Sequence, residues 1–244
     1  MNKTFWLMAL VAAALLTAGP VGADGDFYVI AGGGAPGIKI KHLPYTISAP
    51  GFYYLGGNLT CPSGTGITVD ADDVTLDLMG FCLSGTSSGF GVIIINGHKN
   101  VEVRHGSLRG WWVAVEENTA GVNHRFINLR MEGNVHGIDL CGKGHLVKGC
   151  ASADNTNFGI RTVGGSTATI SGNVAVNNGS YGIQVGGAGS VIGNNVTSNI
   201  VSQTCFSLYS EVDPVLMDQN TASGPGTHYL GGNSATVWGT NAGR

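Results

Sequence analysis

The chain has 244 residues, 41 of them glycine, with a net charge of −3, 11% charged residues and 43% hydrophobic ones. Glycine at about 17%, against an average near 7%, with few prolines and no Gly-X-Y period, excludes collagen, and the apolar share excludes a disordered chain. The scattered basic residues argue against nucleic-acid binding, and the abundance of Gly, Asn, Ser, Thr, Val and Ile favours strands and turns over helices.

Residues 1–23 have the form of a secretory signal peptide. Lys3 supplies the positive start, Phe5 to Leu16 the apolar run, and Val21-Gly22-Ala23 a cleavage site of small residues. The run is too short to span a bilayer comfortably, and no later segment is long enough. The expected product is therefore secreted, periplasmic or held at the surface of a bacterium, with no membrane span after cleavage. Residues 24–60 lack a period and carry Tyr45, Phe52, Tyr53 and Tyr54, which suits a cap on a repeat array.

Residues 61–224 repeat. Gly66-Ile67-Thr68-Val69, Gly91-Val92-Ile93-Ile94, Trp112-Val113-Ala114-Val115, Gly137-Ile138-Asp139-Leu140, Gly159-Ile160-Arg161-Thr162, Gly182-Ile183-Gln184-Val185 and Cys205-Phe206-Ser207-Leu208 follow at steps of 25, 21, 25, 22, 23 and 23. Each copy alternates, the pattern of a half-buried strand. A second strand recurs further along, as in Val101-Glu102-Val103, Ala168-Thr169-Ile170 and Val191-Ile192. Two Asn-rich corners follow: Asn128, Cys150, Asn173, Asn195 and Asn220 form one column, and Asn134, Asn155, Asn178 and Asn199 another. Asn tolerates the left-handed conformation and bonds its own backbone, so tight corners favour it. Leucine-rich repeats share this period but need a Leu-x-x-Leu-x-Leu frame and a helical return, both absent here. The pattern predicts an all-β parallel β-helix of about seven coils, roughly 30–35 Å long at about 4.8 Å per coil. Residues 225–244 lose the period, hold Trp238 and form the expected C-terminal cap or tail.

The run Gly66–Gly85 and the run Asn96-Gly97-His98-Lys99-Asn100-Val101-Glu102-Val103-Arg104-His105-Gly106-Ser107-Leu108-Arg109-Gly110 resemble the repeats of the pectin-lyase-like superfamily, over about residues 60–232. The resemblance implies a right-handed, single-stranded parallel β-helix. It implies no activity, since the superfamily holds lyases, glycoside hydrolases, epimerases, adhesins, tailspikes and proteins without an assigned role. Its polygalacturonate hydrolases carry N-T-D, D-D, G-H-G and R-I-K motifs; this chain has Asp72-Asp73 and Arg104-His105-Gly106 without the ordered set. Its calcium-dependent lyases need several acidic ligands. Asp70, Asp72, Asp73 and Asp77 are the one dense acidic group, and their place at one end of the array suits turns and caps. No cofactor and no metal site is expected, calcium being the single ion the resemblance raises.

The outward positions of the first strand form two columns. One reads Thr68, Ile93, Ala114, Asp139, Arg161, Gln184, Ser207; the other reads Asp70, Ile95, Glu116, Cys141, Val163, Gly186, Tyr209. Glu116 and Asp139, one rung and two residues apart, fall roughly 8 Å from each other, inside the window of roughly 6.5–9.5 Å for an inverting glycosidase pair. They are the catalytic candidates. Glu116, Asp139, Arg161 and Gln184 make the longest polar run, with Trp111, Trp112 or Tyr209 placed to stack at its edge. Phe90, Trp111, His136, Phe158 and Tyr181 recur before each strand. Alternation points them inward, whereas a corner that turns them outward makes a row of platforms. Extended backbone at Trp111-Trp112 exposes at least one ring, because neighbours alternate faces. Cys61 and Cys82, 21 residues apart and near one coil, are the expected disulfide; Cys141–Cys150 is a second pairing, against a buried free thiol at Cys150. The functional expectation is a polysaccharide or cell-surface glycan bound without a recognisable catalytic constellation. The alternatives are a polysaccharide lyase or glycoside hydrolase, or a structural surface protein.

Overall fold

The computed structural model describes residues 37–199, 205–209, 213–224, 228–232 and 234–243. Residues 1–23, expected to be a signal peptide, lie outside them. The described residues form strands, turns and bends, and no helix. All paired strands run parallel in two sheets, one of nine strands and one of sixteen, giving a β-helix of about eight turns, close to the seven expected.

The nine-stranded sheet shows why the chain coils this way. Tyr45, Ile67, Val92, Val115, Ile138, Ile160, Ile183, Phe206 and Tyr229 stack rung on rung. From Ile67 to Phe206 they are fully buried, each contributing about 1.5–3 kcal/mol by leaving water. The ends extend the array on both sides. Tyr45–Ile47 pairs with Ile67–Val69, and Tyr229–Gly231 pairs with Phe206–Leu208. Tyr45 and Tyr53 meet edge to face at one end, and Tyr229 and Trp238 at the other.

The third rung differs from the expected register by two residues. Val115, not Val113, pairs with Val92 and Ile138, while Val113 pairs with Phe90 and His136. The residue before each core position sits where backbones crowd. A Cβ on Gly159 would lie 2.5 Å from the carbonyl oxygen of Gly182. Gly66, Gly91, Gly137, Gly159 and Gly182 fill this slot, and in the third rung it is Ala114. Trp112 is far too large for it, so the rung slides until the small residue fits.

The corners hold two ladders of buried asparagines. In Asn134–Asn155–Asn178–Asn199, each backbone N–H and each side-chain amide of the first three donates to the Oδ1 one coil further on, at 2.8–3.3 Å. The second ladder starts where Cys150 N–H donates to Asn173 and runs Asn173–Asn194–Asn220–Asn241. Asn194 therefore takes the place expected of Asn195, which is exposed. Asn128 stands one residue outside the column with φ 53°, and Leu129 fills the inward position. These amides satisfy buried backbone groups that would otherwise cost about 1–3 kcal/mol each.

Candidate functional site

The register shift changes the outer face. Its column reads Thr46, Thr68, Ile93, Glu116, Asp139, Arg161, Gln184, Ser207 and Leu230, one residue per rung. Glu116 thus stands directly beside Asp139, at the rung spacing of about 4.8 Å, not at the diagonal distance expected. That is shorter than the gap an inverting pair needs for its water, so the inverting assignment is corrected. The neighbouring column holds Asn118, not Glu116, because Asn118 N–H donates to the Ile94 carbonyl.

Asp139 is the electrostatic centre of the face. Arg161, one rung on, grips it with Nε to Oδ1 at 2.8 Å and Nη2 to Oδ2. The guanidinium also lies over the Phe158 ring, 4.2 Å from its centroid. Phe158 stacks on His136 at 4.1 Å, and His136 meets Trp112 edge to face at 5.2 Å. Trp112 is half exposed, while His136 and Phe158 are buried beneath the patch and outside the hydrophobic core. Burial lowers the His136 imidazole, Arg161 lowers it further, and Asp139 acts the other way. Its Nδ1 is buried without a hydrogen-bond partner. Burial pushes the Glu116 carboxyl up to about 7, the charges of Asp139 and Glu117 push the same way, and Arg161 offsets part of this.

Of the residues singled out in the sequence, Glu116, Asp139, Arg161 and Gln184 share one column. Trp112 joins them through His136 and Phe158, and Tyr209 lies exposed further along. Trp111 does not join. It is fully buried in a socket of glycines, with Nε1 donating to the Leu83 carbonyl at 3.1 Å. A Cβ on Gly85 would lie 2.5 Å from its ring. The corner therefore sends Trp111 inward, while His136 and Phe158 face the outer patch.

The Cys61–Cys82 disulfide is not formed, and all five cysteines are thiols. Leu59 pairs with Leu83, so Cys82 stands opposite Asn58 and donates its N–H to the Asn58 Oδ1, while Cys61 N–H donates to the Ser84 carbonyl. The two cysteines are three residues out of register. Burial raises the Cys150 thiol to about 11. The N-terminal acids are engaged as well. His98 bonds Asp70 at 2.9 Å and Asp72 at 2.7 Å, Asn100 bonds Asp73, and Arg104 bonds Asp77. They tie successive turns together and present no shared empty cluster of oxygens for calcium.

An interior cluster escaped the sequence reading. Glu117, next to Glu116, points inward, and its carboxylate accepts the N–H groups of Gly121, Cys141 and Gly142 at 2.7–2.9 Å. His124 Nε2 lies 3.4 Å from it and His145 Nε2 3.1 Å, all with unexposed side chains. Each Nδ1 accepts a backbone N–H from the preceding rung, that of Val101 or of His124, as the Asn ladders do. The signal was present: His124 and His145 are 21 residues apart, as are Asn134 and Asn155. Burial would raise the Glu117 carboxyl, but the two histidines and the backbone donors hold it well below the usual carboxylate range. Beyond His145 its column continues as Ala168 and Gly189, and a cavity of about 230 Å³ opens there, lined also by Gly144, Thr167 and Thr169.

The family described as periplasmic copper-binding protein (NosD) matches residues 65–239, well over half of the chain. The chain belongs to the NosD family. The match spans the repeat array, and the family's periplasmic β-helix character agrees with the stacked parallel strands and with the secreted or periplasmic location expected from the leader. Comparison with curated proteins and with solved structures found no match.

Proposed function

We propose that this periplasmic β-helix binds polysaccharide along the outer face of its nine-stranded sheet. The observation that carries the reading is the unbroken polar column Glu116–Asp139–Arg161–Gln184 beside the half-exposed Trp112. Its residues repeat every 4.8 Å or so, close to the size of a sugar ring, so a polymer meets many individually weak contacts. A row of polar side chains next to an aromatic ring offers hydrogen bonds to hydroxyls and a flat surface for the C–H face of a pyranose. The Asn corners offer neither, because their amides are already used within the ladders. The test is affinity electrophoresis on a polysaccharide panel. Asp139→Ala with Arg161→Ala is expected to weaken binding at least tenfold while leaving the circular dichroism spectrum β-dominated. Unchanged binding on every glycan the parent recognises overturns the face.

Copper, which the family's description names, does not fit the histidines present. The His124 and His145 rings are parallel within 6° with centroids 5.0 Å apart, which keeps like nitrogens about as far apart. Two imidazoles on one ion, each about 2.0–2.1 Å from it, cannot be more than about 4.2 Å apart. Their Nδ1 atoms accept backbone N–H groups, and the Glu117 oxygens are filled by three more. Among the described residues no group of three or more His, Cys, Asp or Glu is arranged to hold a metal ion. Titration with copper(I) and copper(II) is expected to show no stoichiometric site that His124→Ala with His145→Ala removes.

A further inference from the structure

The cations carried on strands are divided unevenly between the two sheets. In the outer column of the nine-stranded sheet the one cation is Arg161. Arg104, Arg109, Arg125, Arg130 and Lys148 all lie on strands of the other sheet. There the four arginines serve Asp77, Glu102, Glu132 and Ser107. Arg161 in turn has its charge paired with that of Asp139. Its Nε–Nη2 edge is on Asp139 and its flat face is on Phe158.

A polymer running along this column therefore meets two carboxyl groups on neighbouring rungs and one cation whose charge is paired with Asp139, so no net positive charge faces a uronate or a sulfate ester. It meets instead uncharged partners: Thr68, Gln184 and the indole of Trp112.

We infer that the ligand is a neutral polysaccharide, and that polyuronates and sulfated glycans are rejected by this face. The inference rests on the glycan-binding reading and narrows it. In the complex, Glu116 donates its carboxyl proton to a sugar hydroxyl, Asp139 accepts from one, and Trp112 stacks on the ring. The protonated Glu116 is consistent with its carboxyl standing near 7. The groups that face it are Asp139 and Cys141 from the next rung, Arg161 two rungs on and Glu117 on its own strand. The rung below offers only apolar Ile93.

The test sets the protein against starch, mannan, xylan and laminarin on one side and alginate, polygalacturonate and chondroitin sulfate on the other. Binding is measured by affinity electrophoresis and calorimetry at pH 6 and pH 8.5 in 0.15 M salt. At least one neutral polymer is expected to bind, every acidic polymer at least tenfold more weakly, with Trp112→Ala losing at least tenfold. Affinity for the neutral polymer is expected to fall as the pH rises from 6 to 8.5, and Glu116→Gln, which keeps a donor at all pH values, removes that dependence. An acidic polymer bound as tightly as the best neutral one overturns the neutral class and leaves the glycan-binding reading standing. Binding to neither set overturns that reading and this inference with it. A neutral polymer bound identically at both pH values by parent and variant overturns the role given to the Glu116 proton.

Discussion

Glu116 and Glu117 are consecutive residues on one strand, yet they sit in opposite regions of the molecule. Glu117 turns into the corner, where three backbone N–H groups and two imidazoles converge on it, and its carboxyl is held below the usual range. Glu116 turns to the outer face, half-buried beside Asp139, with Arg161 already taken by that neighbour; its carboxyl rises to about 7. Burial alone penalises both charges. What separates them is the supply of donors. The inner carboxylate is surrounded by donors and so is structural. The outer region has unused hydrogen-bonding capacity and so can meet a ligand.

The sharpest way to break this contrast is to remove the inner carboxylate. Glu117→Ala leaves the N–H groups of Gly121, Cys141 and Gly142 and two imidazoles without their acceptor. It is expected to cost about 3–5 kcal/mol in urea unfolding at pH 7. In the parent, a folded-state value below the ordinary 4.5 makes this contribution complete above about pH 4.5. It is lost as the pH falls further, because the unfolded chain takes up the proton first. A variant as stable as the parent would show that the cluster is not a structural tie.

The Asn ladders belong to the same interior. Asn178→Ala strands the Asn155 donors and the Ser152 carbonyl, for an expected loss of about 2–3 kcal/mol. Thermal unfolding measures it, and a loss below about 0.5 kcal/mol would count against inward amides carrying the corner.

Glu116→Gln is expected to act with the opposite sign. A carboxyl raised from 4.5 to about 7 on folding makes the parent lose stability as pH rises through that window, and the variant escapes the loss. It is expected to be more stable than the parent by about 1–2 kcal/mol at pH 8, a figure discounted for partial exposure, and equal to it at pH 4. A variant no more stable at pH 8 than at pH 4, relative to the parent, would remove the distinction between the two glutamates.

The smallest effect is chemical. Cys141 lies one rung on from the two glutamates and bonds Glu117, and burial together with their charges and that of Asp139 pushes its thiol up to about 12. Alkylation of Cys141 in the native protein at pH 8 is expected to be at least ~100-fold slower than that of a free cysteine. Without prior reduction, the denatured protein is expected to take up five labels, one per thiol. Recovery of a Cys61–Cys82 peptide would restore the disulfide that the strand register disfavours.

The sequence alone determined the architecture. The recurring Ile and Val positions from Ile67 to Ile183 and the step near 23 residues permit only stacked coils, because period-two alternation at a fixed longer period buries one face of every rung. It also placed Asp139, Arg161 and Gln184 in one column, as well as the ladder from Asn134 to Asn199. Only the tertiary structure decided the third rung, the choice of Asn194 over Asn195, and the gathering of His124 and His145 around Glu117. The coils are unequal in length, and sequence similarity cannot say where each absorbs its extra residues. A slip of one residue exchanges the two faces and a slip of two moves a side chain to the next site along the strand. Steric fit at Ala114 and the closure of hydrogen bonds between rungs select among these registers, and both exist only once neighbouring coils are in contact.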